Sequence, residues 1–167
     1  MTQNLQKRKF RRHTSKWEID KFLVLCYIII KKKKGCNFMK KIYLASPLFT
    51  DEERIAVRKH AEFQRSLGNE VYVPMEHQVE NAWSYVNDEW ARRVFNADVN
   101  AINDCDEVHV IYYGLYSDSG TAWECGFAYA LGKPVFIYPV HDIFAKVSLM
   151  VAQCAENKHI FKDNEQT

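Results

Sequence analysis

The stretch with the clearest potential for chemistry runs from residue 117 to 134, with the sequence SDSGTAWECGFAYALGKP. It follows a predicted strand, forms a polar turn and enters a predicted helix whose first or second turn carries Glu124. There the helix dipole and free backbone N–H groups would favour an ionised carboxylate, which can attack an electrophilic sugar carbon. Asp118, on the turn, would face the same cavity and could hold a substrate hydroxyl, unless both acids only cap the helix.

Two further side chains could take part in such chemistry. Asp98 lies near the end of a predicted amphipathic helix, where an acid is usually solvated. If it is half buried instead, its pKa rises and it suits general acid catalysis. Tyr43 alternates with apolar Ile42 and Leu44 in a predicted strand, which favours core packing over a hydroxyl aimed at the site.

Other common sites are not indicated. Gly120 and Gly126 are typical of turn or packing glycines, and Gly126 is predicted to allow a close approach between helix and sheet. The chain has no G-x-G-x-x-G motif, P-loop or H-E-x-x-H pattern, so neither a dinucleotide site nor a metal site is predicted. Five cysteines, an odd number without a C-x-x-C pair, indicate reduced thiols and a cytoplasmic location.

The elements that must position these residues alternate between strand and helix. This pattern predicts an α/β fold, flavodoxin-like or Rossmann-like, with a parallel sheet of about five strands and helices on both faces. Ligands in such sheets bind beyond the carboxyl ends of the strands, here near 45–50, 74–81 and 114–124. The predicted strands are 41–45, 71–73, 107–113, 134–138 and an edge strand at 158–161. The predicted helices are 50–68, 83–102, 120–131 and 144–155.

The first 38 residues differ from the rest in charge. They carry eleven Lys and Arg against two acids (+9), whereas residues 39–167 carry twelve against nineteen (−7). The acidic body argues against a nucleic-acid partner, and the apolar run at 22–30 is too short to span a membrane. Residues 1–38 are either a basic membrane-surface or RNA-binding tail or a non-native extension before a start at Met39. The predicted domain is 39–167.

Four ordered motifs together resemble the nucleoside 2-deoxyribosyltransferase family. The resemblance runs from about residue 40 to 160, and the last motif is the most specific of the four. The motifs are Tyr43–Phe49 (YLASPLF), Val73–Gln78 (VPMEHQ), Ala97–Ile102 (ADVNAI) and Asp118–Pro134, the stretch that carries Glu124.

The resemblance implies transfer of a 2-deoxyribosyl group between nucleobases, with 2′-deoxynucleosides and free nucleobases as substrates. It implies that Glu124 is the nucleophile, that Tyr43 orients it and that Asp98 exchanges protons with the base. Asp118 would bind the 5′-hydroxyl and Gln78 would contact the base. Two displacements through a glycosyl-glutamate would retain the sugar's configuration without a cofactor or metal.

In this family a segment from a neighbouring subunit completes each site. Residues 146–150 resemble that segment, which implies a homo-oligomer built from dimers, up to a hexamer, with shared active sites. Ser148 stands where a side-chain amide is common, which leaves the 5′-hydroxyl contact open. Phe49 either stacks on a base or packs in the core. Gly120 and Met150 complete the implied substrate-binding residues.

Two other functions remain open. A 2′-deoxynucleoside 5′-monophosphate N-glycosidase would hydrolyse the same bond, but it needs a phosphate pocket. The first loop has no Arg or Gly-Gly, and Asp118 would repel a phosphate. A catalytically silent nucleoside-binding domain would share the fold but needs no nucleophile. Asp118 is the residue that discriminates the transferase from the hydrolase, and the presence of Tyr43, Asp98, Asp118 and Glu124 together argues against the silent domain.

Overall fold

Four strands and four longer helices alternate along the chain in the computed structural model, which describes residues 39–77, 86–114, 117–140 and 148–157. The predicted extension at 1–38, the predicted strand at 158–161 and Gln78 lie outside these residues. The strands are β1 (Lys41–Ala45), β2 (Glu70–Tyr72), β3 (Glu107–Tyr112) and β4 (Val135–Pro139). The helices are α1 (Asp51–Ser66), α2 (Asn87–Asp104), α3 (Ser119–Ala130) and α4 (Leu149–Cys154), with a 3₁₀ turn at Pro74–Glu76.

The strands form a parallel sheet in the order β2-β1-β3-β4. The predicted α/β class with a parallel sheet is therefore confirmed. The chain leaves β1 towards one side of the sheet and returns to β3 on the other, so β1 and β3 flank the point where the strand order reverses. In such sheets a crevice opens there, beyond the carboxyl ends of the strands.

Side chains that alternate along the strands supply two apolar cores. On one face, Tyr43, Val108 and Val110 pack with buried residues of α2, α3 and α4. On the other face, Ile42 and Leu44 pack with buried residues of α1. Both faces of the sheet are thus covered, as the alternation of strands and helices along the chain predicts.

Helix α1 begins and ends at the residues that the sequence indicates. The Thr50 hydroxyl accepts a hydrogen bond from the Glu53 N–H at 3.2 Å, and the Thr50 N–H donates to the Glu53 carboxylate at 2.7 Å. This reciprocal capping box satisfies two backbone N–H groups at the helix start, those of Thr50 and Glu53. Gly68 follows the helix with φ of 88°, a left-handed conformation that favours glycine.

The expected role of Gly126 is wrong. Gly126 is exposed on α3, and a Cβ added there would meet nothing within 4 Å. The close approach between helix and sheet is made instead by Cys125 and Ala128, which are fully buried. None of the helices in the described ranges combines the length and apolar character needed to cross a bilayer.

A buried polar chain lies on the α1 face of the sheet. Lys40 pairs with Glu107 on β3, and the other oxygen of Glu107 lies 3.1 Å from His109 Nε2. His109 Nδ1 in turn lies 2.9 Å from His60 Nε2 on α1. Burial, with a smaller contribution from His109, lowers the pKa of His60 to about 3. His60 is therefore neutral in the folded protein around neutral pH.

We expect this histidine to make the fold sensitive to acid. The unfolded chain binds a proton at His60 near its ordinary pKa of about 6.5, whereas the folded chain resists protonation down to about 3. Stability is then lost as the pH falls between these values, by up to about 1.4 kcal/mol per pH unit. Urea unfolding from pH 7 to 4 should show a shallower decline for His60→Gln than for the unmodified protein.

The matched control is Lys59→Gln, because Lys59 is exposed next to His60 on α1. That variant should keep the original pH dependence of the unfolding free energy. Equal slopes for His60→Gln and the unmodified protein would remove His60 as the cause of acid sensitivity.

Candidate active site

Three carboxyl groups from α2 and α3 lie near one another. Asp118 is the N-cap of α3, Glu124 lies in the second turn of α3, and Asp98 lies on α2. They are close enough that the negative charges of Asp98 and Asp118 raise the pKa of Glu124. The fold thus brings Asp98 of α2 close to Asp118 and Glu124, which are only six residues apart at the start of α3.

Tyr43 joins this group from the middle of β1. Its hydroxyl donates a hydrogen bond of 2.6 Å to Oε1 of Glu124, and its ring is fully buried in the core. The ring therefore packs in the core while the hydroxyl reaches the site, so the two alternatives considered for Tyr43 hold together. Burial and the charge of Glu124 raise the pKa of Tyr43, so the hydroxyl stays protonated and remains a donor.

Glu124 differs from the expectation of a readily ionised carboxylate. Burial raises its pKa to about 8, the Tyr43 hydrogen bond opposes this shift, and the charges of Asp98 and Asp118 add to it. Glu124 is the sixth residue of α3, beyond the first turn, where the free N–H groups lie. The prediction that the helix start keeps Glu124 ionised is therefore wrong, because desolvation outweighs the helix dipole here.

Asp98 is half buried rather than solvated. Burial raises its pKa to about 6, although Tyr72 and His77 both act to lower it. The hydroxyl of Tyr72 lies 3.5 Å from Oδ1 of Asp98. Asp98 therefore changes its protonation near neutral pH, a property that suits a group that both gives and takes a proton.

Asp118 does cap the helix, as one of the two alternatives for this residue states. Its Oδ1 accepts a 2.9 Å hydrogen bond from the Thr121 N–H and also contacts the Thr121 hydroxyl. A Cβ added at Gly120 would lie 3.1 Å from Oδ2 of Asp118. Gly120 thus leaves space for this carboxylate, whereas Glu124 makes no capping contact and bonds to Tyr43 instead.

The remaining candidate residues that the structure describes are exposed. Phe49 follows β1 and is 74% exposed, so the alternative that it packs in the core is wrong. Ser148 and Met150 are exposed at the start of α4, with Met150 at 78%. Gln78 lies outside the described residues. The chain's own fold therefore assembles Tyr43, Asp98, Asp118 and Glu124, without Phe49, Ser148 or Met150.

Two residues that the sequence analysis did not single out complete the group. The ring of Tyr72 stacks on Tyr43 at 5.6 Å, and the ring of His77 stacks on Tyr72 at 4.2 Å. Tyr72 and Tyr43 are register partners on neighbouring parallel strands. The signal that could have found Tyr72 is that both tyrosines are the middle residue of their predicted strands, 41–45 and 71–73.

A cavity of about 430 Å³ opens beside this stack. Tyr72 and His77 line one end, and it continues along α2 to Asp104 and Cys105. None of the three carboxyl groups lines it, so we do not place the reacting atoms there. Within the described ranges, no group of three or more His, Cys, Asp or Glu side chains has an arrangement that could hold a metal ion.

We expect the Tyr43 hydroxyl to hold down the pKa of Glu124. Tyr43→Phe removes the hydrogen bond that favours the ionised carboxylate, so the pKa of Glu124 should rise above about 8. Titration of the Glu124 side-chain carboxyl carbon by ¹³C NMR would measure this change. Tyr112→Phe is the matched control, because Tyr112 is buried in the same core. An unchanged Glu124 pKa in Tyr43→Phe would contradict the role of this bond.

The solved structures that are similar to the chain include the following two. The first is a 2-deoxyribosyltransferase from Bacillus psychrosaccharolyticus, 33% identical with a TM-score of 0.62, with 74% of this chain and 93% of that one covered. The second is a conserved protein from Enterococcus faecalis V583, 29% identical with a TM-score of 0.52, over 60% of this chain and 63% of that one. A comparison with curated proteins gave no match.

The comparison with protein families gives the same relationship. The family described as nucleoside 2-deoxyribosyltransferase matches residues 42–161, which include every strand and helix of the described fold except Lys41, the first residue of β1. The match spans well over half of the chain, and it includes Tyr43, Asp98, Asp118 and Glu124. The chain therefore belongs to the nucleoside 2-deoxyribosyltransferase family.

Proposed function

We propose that the protein transfers a 2-deoxyribosyl group between nucleobases, with Glu124 as the covalent nucleophile. The observation that carries the proposal is the buried Glu124 carboxyl, oriented at 2.6 Å by Tyr43 and close to a second carboxyl, Asp98, whose pKa is about 6. A buried acid held by a hydroxyl, beside another acid of different pKa, is the arrangement that double displacement at a sugar carbon requires.

The first displacement forms a glycosyl ester. A carboxylate oxygen of Glu124 attacks the anomeric carbon of a 2′-deoxynucleoside, and the bond from that carbon to the base nitrogen breaks. The bonding electrons leave with the base, and Asp98 supplies the proton that neutralises it. Tyr43 aims the Glu124 carboxyl and favours its ionised form, because the tyrosine hydroxyl donates to the carboxylate.

The second displacement reverses these steps with another base. The incoming base nitrogen attacks the anomeric carbon, the ester bond breaks and Glu124 regains its negative charge. Asp98, now ionised, takes the proton that the incoming base loses. Two inversions restore the original configuration at the anomeric carbon.

The pKa values of Asp98 and Glu124 imply that the reaction depends on which of these two carboxyl groups carries a proton. Between about pH 6 and 8, Asp98 and Glu124 together hold about one proton. The reactive form places that proton on Asp98 and leaves Glu124 ionised, whereas the free protein favours the opposite placement. The Tyr43 hydrogen bond acts to favour the reactive placement, since it lowers the pKa of Glu124.

We expect a bell-shaped pH profile for this reason. For the donor nucleoside, kcat/KM should fall below about pH 6, where both acids are protonated, and above about pH 8, where neither is. Initial rates at low donor concentration from pH 5 to 9 would give the profile. A rate that rises steadily across this range, without an alkaline limb, would contradict the need for a protonated Asp98.

The surroundings of the first loop favour the transferase over the monophosphate N-glycosidase. Arg54 lies beside this loop, but its guanidinium donates to the carbonyls of Leu48 and Phe49 and pairs with Asp51 at 2.8 Å. This cation is thus already engaged, and Asp118 would repel a phosphate at the turn before α3. A similar structure at 33% identity is described as a 2-deoxyribosyltransferase used for nucleoside synthesis.

We further propose that the protein is a cytoplasmic homo-oligomer with shared active sites. Ser148, Leu149 and Met150 are exposed at the start of α4, and Leu149 and Met150 are apolar and 81% and 78% exposed. Large apolar side chains in this position suit contact with a second copy of the chain. Residues 1–38 are proposed to lie outside the catalytic domain.

The deciding experiment is base exchange. The purified full chain is incubated with deoxyinosine plus adenine, and separately with thymidine plus adenine, and products are separated by chromatography. We expect deoxyadenosine from the chain with intact Glu124 and a loss of about a thousandfold or more in Glu124→Ala, because the nucleophile is gone. Glu62→Ala, on the exposed side of α1, should retain the original rate.

The other outcomes identify the alternatives. Free base and deoxyribose without deoxyadenosine would indicate a hydrolase, and deoxynucleoside 5′-monophosphates would then be tested as substrates. No turnover of any donor, combined with nucleoside binding, would indicate a silent binding domain. The donor that reacts also distinguishes a purine-only enzyme from one that exchanges both base classes.

A further inference from the structure

Each of the two central acids has its own tyrosine. The Tyr43 hydroxyl lies 2.6 Å from Glu124, and the Tyr72 hydroxyl lies 3.5 Å from Asp98. The two tyrosines are register partners on β1 and β2, and their rings stack 5.6 Å apart at an angle of 14°. The sheet therefore presents two parallel phenols to two acids that come from different helices.

The Tyr72 ring has two stacked neighbours. The Tyr43 ring lies 5.6 Å from the Tyr72 ring at an angle of 14°. The His77 ring lies 4.2 Å from the Tyr72 ring and is nearly parallel to it, at 2°. Tyr43 is itself fully buried and fixed by its bond to Glu124. A ring between two stacked neighbours has little freedom to turn, so the position of its hydroxyl is set by the strand and the stack.

We propose that Tyr72 is a positioning residue that holds Asp98 in line with Glu124 and tunes proton exchange with the base. This inference rests on the proposed function and adds a residue to it. Tyr72 acts through Asp98 rather than on the substrate, since its hydroxyl faces the Asp98 carboxylate. The Tyr43–Tyr72 stack then couples the two acids mechanically, because the ring that orients one acid supports the ring that orients the other.

Asp98 faces charged and titratable groups from several elements. Tyr72 comes from β2, His77 follows the 3₁₀ turn, Tyr43 comes from β1 and Glu124 comes from α3. Glu124 and Asp98 repel each other when both are ionised, whereas the Tyr72 hydrogen bond and a charge on His77 favour ionised Asp98. Removal of the Tyr72 hydroxyl should therefore make Asp98 harder to ionise, without a direct effect on the bond between Tyr43 and Glu124.

The test compares the full chain with Tyr72→Phe, which keeps the stacked ring and removes only the hydroxyl. Titration by ¹³C NMR of the Asp98 carboxyl carbon should show its pKa rise by about half a unit to one unit from about 6. The acid limb of the donor kcat/KM profile should move up by the same amount, and the alkaline limb should stay. Tyr129→Phe, an exposed tyrosine on α3, is the matched control and should change neither.

A second variant separates the ring from the hydroxyl. Tyr72→Leu removes both the ring and the hydroxyl, so it should reproduce the rise in the Asp98 pKa. Its kcat should also be lower than that of Tyr72→Phe, because the stack that supports Tyr43 is lost. An Asp98 pKa that does not change in Tyr72→Phe would overturn the proposal, whatever the activity. The NMR titration needs no turnover, so a chain that fails to exchange bases would refute the proposed function while the titration still decides the role of Tyr72.

Discussion

The site depends on the hydrogen bond between Tyr43 and Glu124, which joins β1 to α3. Its donor comes from the first strand and its acceptor from a helix 81 residues later in the chain. A distance of 2.6 Å between these atoms requires β1 and β3 to be in register and α3 to lie close against them. The parallel pairing of Tyr43 with Val108 and the buried Cys125 and Ala128 meet both requirements. The apolar core beneath the site is thus what fixes its polar geometry.

The electrostatic character of the site follows from how this core confines negative charge. Three acids that repel one another are kept near each other, and burial opposes the ionisation of the two central ones. The fold relieves this in part with neutral donors, because a tyrosine hydroxyl can stabilise a carboxylate without adding a counter-charge that would fix it as ionised. The acids therefore remain able to gain and lose protons near neutral pH, which an arginine or lysine partner would prevent.

Much of this fold could be predicted from residue types and spacing. Alternating apolar runs gave the strands, and Thr50, Glu53 and Gly68 marked the ends of α1, because caps and left-handed turns are local requirements. The three acids could be identified as candidates because their residue types and their positions in the motifs can be read from the sequence. The ionisation state of Glu124 and the role of Gly126 could not, since both depend on the depth at which α3 packs against the sheet. Tyr72 was missed because its contact with Asp98 joins elements that are 26 residues apart.

The two faces of the sheet also carry different polar groups. The face under α2, α3 and α4 carries the acids, while the face under α1 carries the polar chain of Lys40, Glu107, His109 and His60. Successive residues of β3 thus serve opposite faces, with Val108 and Val110 below the site and Glu107 and His109 behind it. Buried polar groups can often be exchanged for apolar ones of similar volume without loss of stability. Protein engineers could therefore adapt the α1 face for harsher solvents while the catalytic face stays untouched.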